Sequence, residues 1–166
     1  MFRLNDESAA LPAGHSVRHF QDLGTLFSHY ARTASERVAV LAPRRGAASY
    51  AALARQVNDS VGALRACGIG RQDRIAVVLP DGSEAAVAVL AVAVAAVCVP
   101  MNAVFTADEW RRYLGDFKIT ALLTRAGSNA ACRAVAHDLA IPVIDLFSGA
   151  ACISRETITL NFRARN

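Results

Sequence analysis

One stretch limits what this chain can fold into: Asp73 to Asn102, DRIAVVLPDGSEAAVAVLAVAVAAVCVPMN. Ile75 to Leu79 is continuously apolar rather than alternating, the pattern of a strand covered on both faces of a parallel sheet. Pro80-Asp81-Gly82 breaks it, and an apolar helix follows to about Ala95, with Ser83 as its expected N-cap. Val97 to Val99 is a second short strand, closed by Pro100. No charged residue occurs from Ala85 to Val99, yet a membrane span needs about 20 apolar residues, so a helix walled in by neighbours is the better expectation.

The same alternation continues on both sides. Phe20, Leu23, Phe27 and Tyr30 share one helical face, in a helix predicted over 20–33. Val38–Leu41 and Ala47–Tyr50 flank Pro43-Arg44-Arg45-Gly46 and predict a small hairpin. A helix opens at Ser49 or Tyr50, carries Leu53, Val57, Val61 and Leu64 inward, and has Arg65 in its last turn and Gly68 as its stop. Thr106 and Glu109 have capping-box spacing, ahead of Trp110, Tyr113, Leu114 and Phe117 on one face. Ile119–Leu123 reads as a strand, Ser128 opens a helix with Ala131, Val135 and Leu139 inward, and Pro142–Ile144 adds a strand. Ile158, Leu160 and Phe162 alternate with polar residues, as in a half-exposed edge strand. The expectation is an α/β fold: a mostly parallel sheet with helices on both faces, built from consecutive βαβ units. The divisions are a polar arm over 1–19, the α/β body over 20–150 and an edge strand or tail over 151–166.

Composition excludes more than it assigns. The chain has 166 residues and a net charge of +4, but the cations are scattered and nearly all arginine, Lys118 being the one lysine. No basic stripe with interleaved aromatics marks a nucleic-acid surface. Cys67, Cys98, Cys132 and Cys152 form no C-x-x-C pair and have no histidine at ligand spacing, which argues against a zinc site and fits a reducing cytoplasm. The amino end, with Asp6 and Glu7, lacks the apolar core of an export signal.

Candidate sites weigh out as structural. Gly68-x-Gly70 follows a helix and precedes a strand, the wrong order for a dinucleotide fingerprint. Pro80-Asp81-Gly82-Ser83 leaves a buried strand for a helix N-terminus, where anions can bind, but Asp81 would repel one and a tight turn is the preferred reading. His15, His19 and His29 precede the core, and His137 beside Asp138 reads as a solvated helix face. Ser49, Ser83 and Ser128 read as helix openers rather than nucleophiles, with no G-x-S-x-G elbow. Trp110, Tyr113 and Phe117 at helical spacing read as core packing.

Taken in order, these motifs resemble the adenylate-forming enzymes, the AMP-binding superfamily of acyl-CoA synthetases, luciferases and peptide-synthetase adenylation domains. Ser49-Tyr50-Ala51-Ala52-Leu53 is similar to their T-Y-x-E-L. Gly68-Ile69-Gly70 with Asp73-Arg74-Ile75-Ala76 is similar to G-V-x-x-G-D-R-V-A. Leu79-Pro80-Asp81 resembles L-P-N, and Val99-Pro100-Met101-Asn102 resembles V-P-L-N. Phe105 to Asp116, with Thr106 and Glu109, resembles the Y-T-A-x-E-x-x-Y-x-L-x-D of the acyl-CoA synthetase branch. The resemblance covers about residues 23 to 146. Ala93-Val94-Ala95-Ala96 stands where the family has K-A-G-A, Gln72 replaces a glycine and Asp81 an asparagine.

The resemblance implies a parent reaction in which a carboxylate and ATP, with magnesium, give an acyl-adenylate that CoA then takes as a thioester. The family's Ser/Thr/Gly-rich ATP loop ending in P-K-G, its ribose-gripping acidic residue and its catalytic lysine have no counterpart before Asn166. The expectation is the N-terminal portion of such a ligase, inactive alone, binding no cofactor itself, with no catalytic or metal residue. Tyr50, Leu53, Gly68, Gly70, Asp73, Arg74, Pro80, Asp81, Pro100, Asn102, Thr106 and Glu109 are read as structural. Its expected partner is the missing C-terminal part of the ligase, or a second copy if the chain is a truncated, non-enzymatic dimerisation module.

Overall fold

The computed structural model describes residues 19–42, 46–128, 130–148 and 160–165. Its elements, in chain order, are α1 (Leu23–Thr33), β1 (Val38–Ala42), β2 (Gly46–Ser49), α2 (Tyr50–Ala66), β3 (Arg74–Val78) and α3 (Ser83–Ala95). They continue as β4 (Val97–Pro100), α4 (Ala107–Asp116), β5 (Ala121–Arg125), α5 (Ala130–Asp138), β6 (Val143–Ser148) and β7 (Leu160–Arg165). Strands β4-β3-β5-β6 are parallel neighbours, and β7 adds an antiparallel edge against β6. The mostly parallel α/β fold expected from the alternation is the fold observed. Ile158 and the expected turn residues Pro43, Arg44 and Arg45 lie outside the described residues, as do His15 and Cys152.

The sheet has a core on each face, which explains the continuous apolar run in β3. Ile75 and Val77 enter one core with Leu53, Val57 and Leu64 of α2 and Val87 and Val92 of α3. Ala76 and Val78 enter the other, with Trp110 and Leu114 of α4 and Val135 of α5. Each fully buried aliphatic side chain contributes roughly 2 kcal/mol relative to exposure. Helix α3 carries no polar stripe because it is enclosed. Val87, Ala88, Ala91, Val92 and Ala95 are buried, and Val89, Leu90 and Val94 also pack on the core. Among the described residues no helix is long and apolar enough to cross a membrane.

Local rules account for the helix ends. Thr106 accepts from the Glu109 N–H at 3.3 Å, and Glu109 accepts from the Thr106 N–H at 2.8 Å, closing the expected capping box. Ser49 caps α2 by accepting from the Ala52 N–H. Gly68, with φ +85°, follows the α2 C-cap at Cys67 in the left-handed conformation that glycine takes at least cost. Arg65 donates from α2 to the carbonyls of Ile69 at 2.6 Å and Ala95 at 2.7 Å, tying the ends of α2 and α3 together.

Several expectations are corrected. Helix α1 starts at Leu23, not Phe20, because Asp22 and Thr25 form a second capping box there. Ser83 is the first residue of α3 rather than its cap. The turn out of β3 needs φ +149° immediately before the helix, so the cap position falls to Gly82, which has no side chain to offer. Ser128 turns its hydroxyl back to donate to the Arg125 carbonyl at 2.8 Å. In α5 the inward residues are Cys132, Val135 and Ala136, whereas Ala131 is exposed and Leu139 lies past the last turn, 42% exposed. Phe117 is the α4 C-cap and is 42% exposed, so the buried face of α4 is Trp110 and Leu114. Strand β5 starts at Ala121 rather than Ile119, and β6 runs on to Ser148.

Candidate functional site

In an open parallel sheet, ligands meet the carboxyl ends of the strands where the winding direction reverses. Here β3 connects through α3 to β4 on one side, and β4 connects through α4 to β5 on the other side of β3. The reversal therefore lies between β3 and β5. A recess of about 200 Å³ opens at that point, lined by Pro80, Asp81, Gly82, Ser83, Glu84 and Arg125, with Ala42 of the hairpin at its margin.

Its chemistry follows from which faces the strand residues occupy. Arg125, at the end of β5, lies in register beside Leu146, which faces α2 and α3. It donates through Nη2 to Glu84 Oε2 at 2.6 Å, in the first turn of α3. The Glu84 side chain is 12% exposed and that of Arg125 is 40% exposed. The charge of the one guanidinium in the recess is thus already matched by a carboxylate. Asp81 adds a second, exposed carboxylate. Two carboxylates against one guanidinium do not fit a triphosphate, which needs an excess of cationic charge around its oxygens. Among the described residues no three His, Cys, Asp or Glu side chains gather to hold a metal ion.

One strand over, on the opposite face of the sheet, a second pair closes the same edge. Arg133 of α5 donates through Nη2 to Asp145 of β6 and to the Arg125 carbonyl at 2.8 Å, and through Nε to the Ser128 carbonyl at 2.7 Å. The Asp145 side chain is 1% exposed and that of Arg133 19%. This cluster braces the end of β5, the start of α5 and β6.

The residues singled out from the sequence are scattered. Only the Pro80-Asp81-Gly82-Ser83 stretch lines the recess. Tyr50 stacks on Tyr30 with ring centroids 5.1 Å apart, joining α1 to α2, and Leu53 is buried in the core. Asp73 Oδ2 accepts from the Gly70 N–H at 2.5 Å, holding the turn into β3. Arg74 donates through Nε to the Phe117 carbonyl at 2.5 Å. Pro100 ends β4 beside Val77, and Asn102 accepts from the Val104 N–H at 3.1 Å. His29 packs against Phe20 and Tyr30, each 5.3 Å away, while His19 and His137 are exposed. Burial pushes the thiols of Cys98 and Cys132 up to about 11, so neither is a nucleophile near neutral pH. Glu84, Arg125, Arg133 and Asp145 were not singled out from the sequence. The only signal for the first two is a carboxylate opening a helix after one strand and an arginine closing the next.

Comparison with known proteins identifies the lineage. The chain matches the AMP-binding enzyme family over residues 27–161. A probable CoA ligase of Humulus lupulus is 34% identical over 108 residues, which are 64% of this chain and 21% of that protein. The inhibitor-bound N-terminal domain of FACL13 from Mycobacterium tuberculosis superposes with a TM-score of 0.62 at 25% identity, over 69% of this chain and 29% of that one. A putative long-chain-fatty-acid CoA ligase from Rhodopseudomonas palustris gives a TM-score of 0.64 at 21% identity, over 74% and 31%. The chain therefore spans under a third of each of these proteins. With the family match covering most of its length, this chain belongs to the AMP-binding enzyme family.

Proposed function

We propose that this chain is the N-terminal scaffold of an ATP-dependent acyl-CoA ligase and carries out no adenylation alone. The observation that carries the reading is the family match over residues 27–161, which takes in both faces of the sheet. In the parent reaction a carboxylate oxygen attacks the α-phosphorus of ATP, and the bond to pyrophosphate breaks. The thiol of CoA then attacks the acyl carbon of the adenylate, and AMP leaves. Both steps concentrate negative charge that preorganised donors and cations must offset. The switch-point recess supplies Asp81, Glu84 and an arginine already paired, so this chain's residues do not offset it. ATP with its magnesium, and CoA, are assigned to the rest of such a ligase. What these residues contribute is a rigid body whose carboxyl edge is locked by two ion pairs.

The test is carboxylate-dependent exchange of pyrophosphate into ATP. The 166-residue chain alone should give none across a panel of carboxylates. A chimera of the Humulus lupulus ligase, with its matched segment replaced by this chain, should recover exchange. Turnover by the isolated chain overturns the inactivity, and a folded chimera without exchange overturns the scaffold role.

A further inference from the structure

The turn between β3 and α3 carries a chemistry of its own, apart from lining the recess. Asp81 is the one aspartate in the chain followed by a glycine, and no asparagine is. A glycine has no Cβ to shield its main-chain nitrogen, so that nitrogen can come closer to the preceding side-chain carboxyl than in any other pair.

The structure leaves both reacting groups open. Pro80, Asp81 and Gly82 are all exposed. Gly82 has φ +149°, and a Cβ built on it would meet nothing within 4 Å, so no neighbour packs over the turn. Gly82 holds the N-cap position of α3, which has no side-chain cap. The first N–H groups of a helix lack intrahelical acceptors. Among the described residues no hydrogen bond engages the Asp81 carboxylate or the Gly82 N–H. The other described aspartates differ. Asp22 and Asp73 accept from backbone N–H groups, and Asp108, Asp116, Asp138 and Asp145 pair with arginines. Asp59 lies within α2, where the following N–H is bonded along the helix.

We propose that Asp81-Gly82 is a site of spontaneous isoaspartate formation, which lengthens the turn at the recess and loosens the start of α3. The Gly82 nitrogen gives up its proton and bonds to Asp81 Cγ, and a carboxyl oxygen leaves as water, closing a succinimide ring. Water then adds back. When it breaks the bond between the Gly82 nitrogen and the Asp81 backbone carbonyl carbon, the main chain runs on through Cβ and Cγ. The turn is then one methylene longer, and the former carbonyl is a carboxylate. Mass is unchanged and no co-reactant is needed beyond water. The first bond of the α3 end runs from the Ala86 N–H to the Gly82 carbonyl at 3.0 Å, on the residue whose nitrogen is moved. Glu84, which holds Arg125, lies two residues further on.

Ageing the 166-residue chain at 37 °C and pH 7.4 tests this, with peptic mapping by mass spectrometry. The isoaspartyl peptide elutes apart from its parent and gives its own fragment ions. Isoaspartate should accumulate at position 81 at least tenfold faster than at any other aspartate, and within about threefold of its rate in a free peptide of residues 77–87. Asp81→Glu, which would have to close a larger ring, should show no such product there. Asp81→Asn, whose amide leaves as ammonia, should react at least tenfold faster and yield both aspartate and isoaspartate. A pulse of hydrogen exchange on the native aged chain, before digestion, reads the two forms separately. Amides of residues 83–86 should exchange at least tenfold faster in the isoaspartyl form. A folded chain that keeps Asp81 intact while the free peptide isomerises overturns the site. Equal exchange in the two forms overturns the loosening of α3.

Discussion

Two ion pairs close the carboxyl edge of the sheet, one strand apart and on opposite faces. Glu84–Arg125 ties α3 to β5 across the switch-point recess, and its arginine is 40% exposed. Arg133–Asp145 ties α5 to β6 with its carboxylate 1% exposed. The chemistry is the same, but the surroundings differ. Water can rehydrate Arg125 if its partner is lost, whereas Arg133 would keep a charge inside the protein. A buried pair need not stabilise a fold more than apolar residues of the same shape, yet breaking one side of it is costly. The comparison therefore predicts unequal penalties for equivalent truncations.

The largest effect belongs to Asp145→Ala. It should cost about 3 kcal/mol, the lower end of what a broken buried pair costs, because the carbonyls of Arg125 and Ser128 still hold the guanidinium. Glu84→Ala should cost roughly 1 kcal/mol, since Arg125 regains solvent. Urea unfolding of the two variants beside the parent chain measures both, and equal losses would break the comparison. Salt sharpens it. At 1 M ionic strength the Debye length is about 3 Å, so the penalty for Glu84→Ala should shrink towards zero while that for Asp145→Ala stays. A parallel decline in both would mean that the second pair is wetter than its burial indicates.

What the sequence revealed of this edge, and what it hid, follows the same division between local and distant causes. The apolar run Ile75–Leu79 announced a two-faced strand, and Thr106 with Glu109 announced a helix start, because neighbours a few residues apart decide both. Gly68 marked a helix end for the same reason. Ser83 misled, since the positive φ required at Gly82 belongs to the path from strand to helix and not to any cap preference. Leu139 misled because helical spacing ignores where the helix stops. Ala140, at φ 55°, turns the chain just beyond it. The ion pairs were not visible at all. Glu84 and Arg125 stand 41 residues apart, and only the strand order brings them together. The shared exposure of Val38 and Leu41 was hidden too, because the β1–β2 pairing slips between Val38 and Val40, whereas a regular strand would have put those two side chains on opposite faces.

The weakest charged contact completes the series and gives it a pH dependence. Glu109 is fully exposed, and its carboxylate is held below its ordinary value of 4.5, first by the Thr106 backbone N–H and then by the Thr106 hydroxyl. A carboxylate whose folded value is depressed stabilises the protein fully above its unfolded value, and the contribution is lost as pH falls through the folded one. The capping box at α4 should therefore weaken progressively below about pH 4.5. Asp22, held down by the Thr25 N–H at the start of α1, should follow below about 3.8. Thr106→Ala removes the side-chain cap and should cost roughly 1 kcal/mol at neutral pH. Glu109→Gln keeps an acceptor for the Thr106 N–H but has no proton to gain, so it should leave neutral-pH stability nearly unchanged and flatten the acid limb. Unfolding free energies from pH 7 to pH 3 for the parent chain and Glu109→Gln decide the matter. If the two acid limbs superimpose, the acid sensitivity originates elsewhere, and Asp22 in the other capping box becomes the next carboxylate to replace.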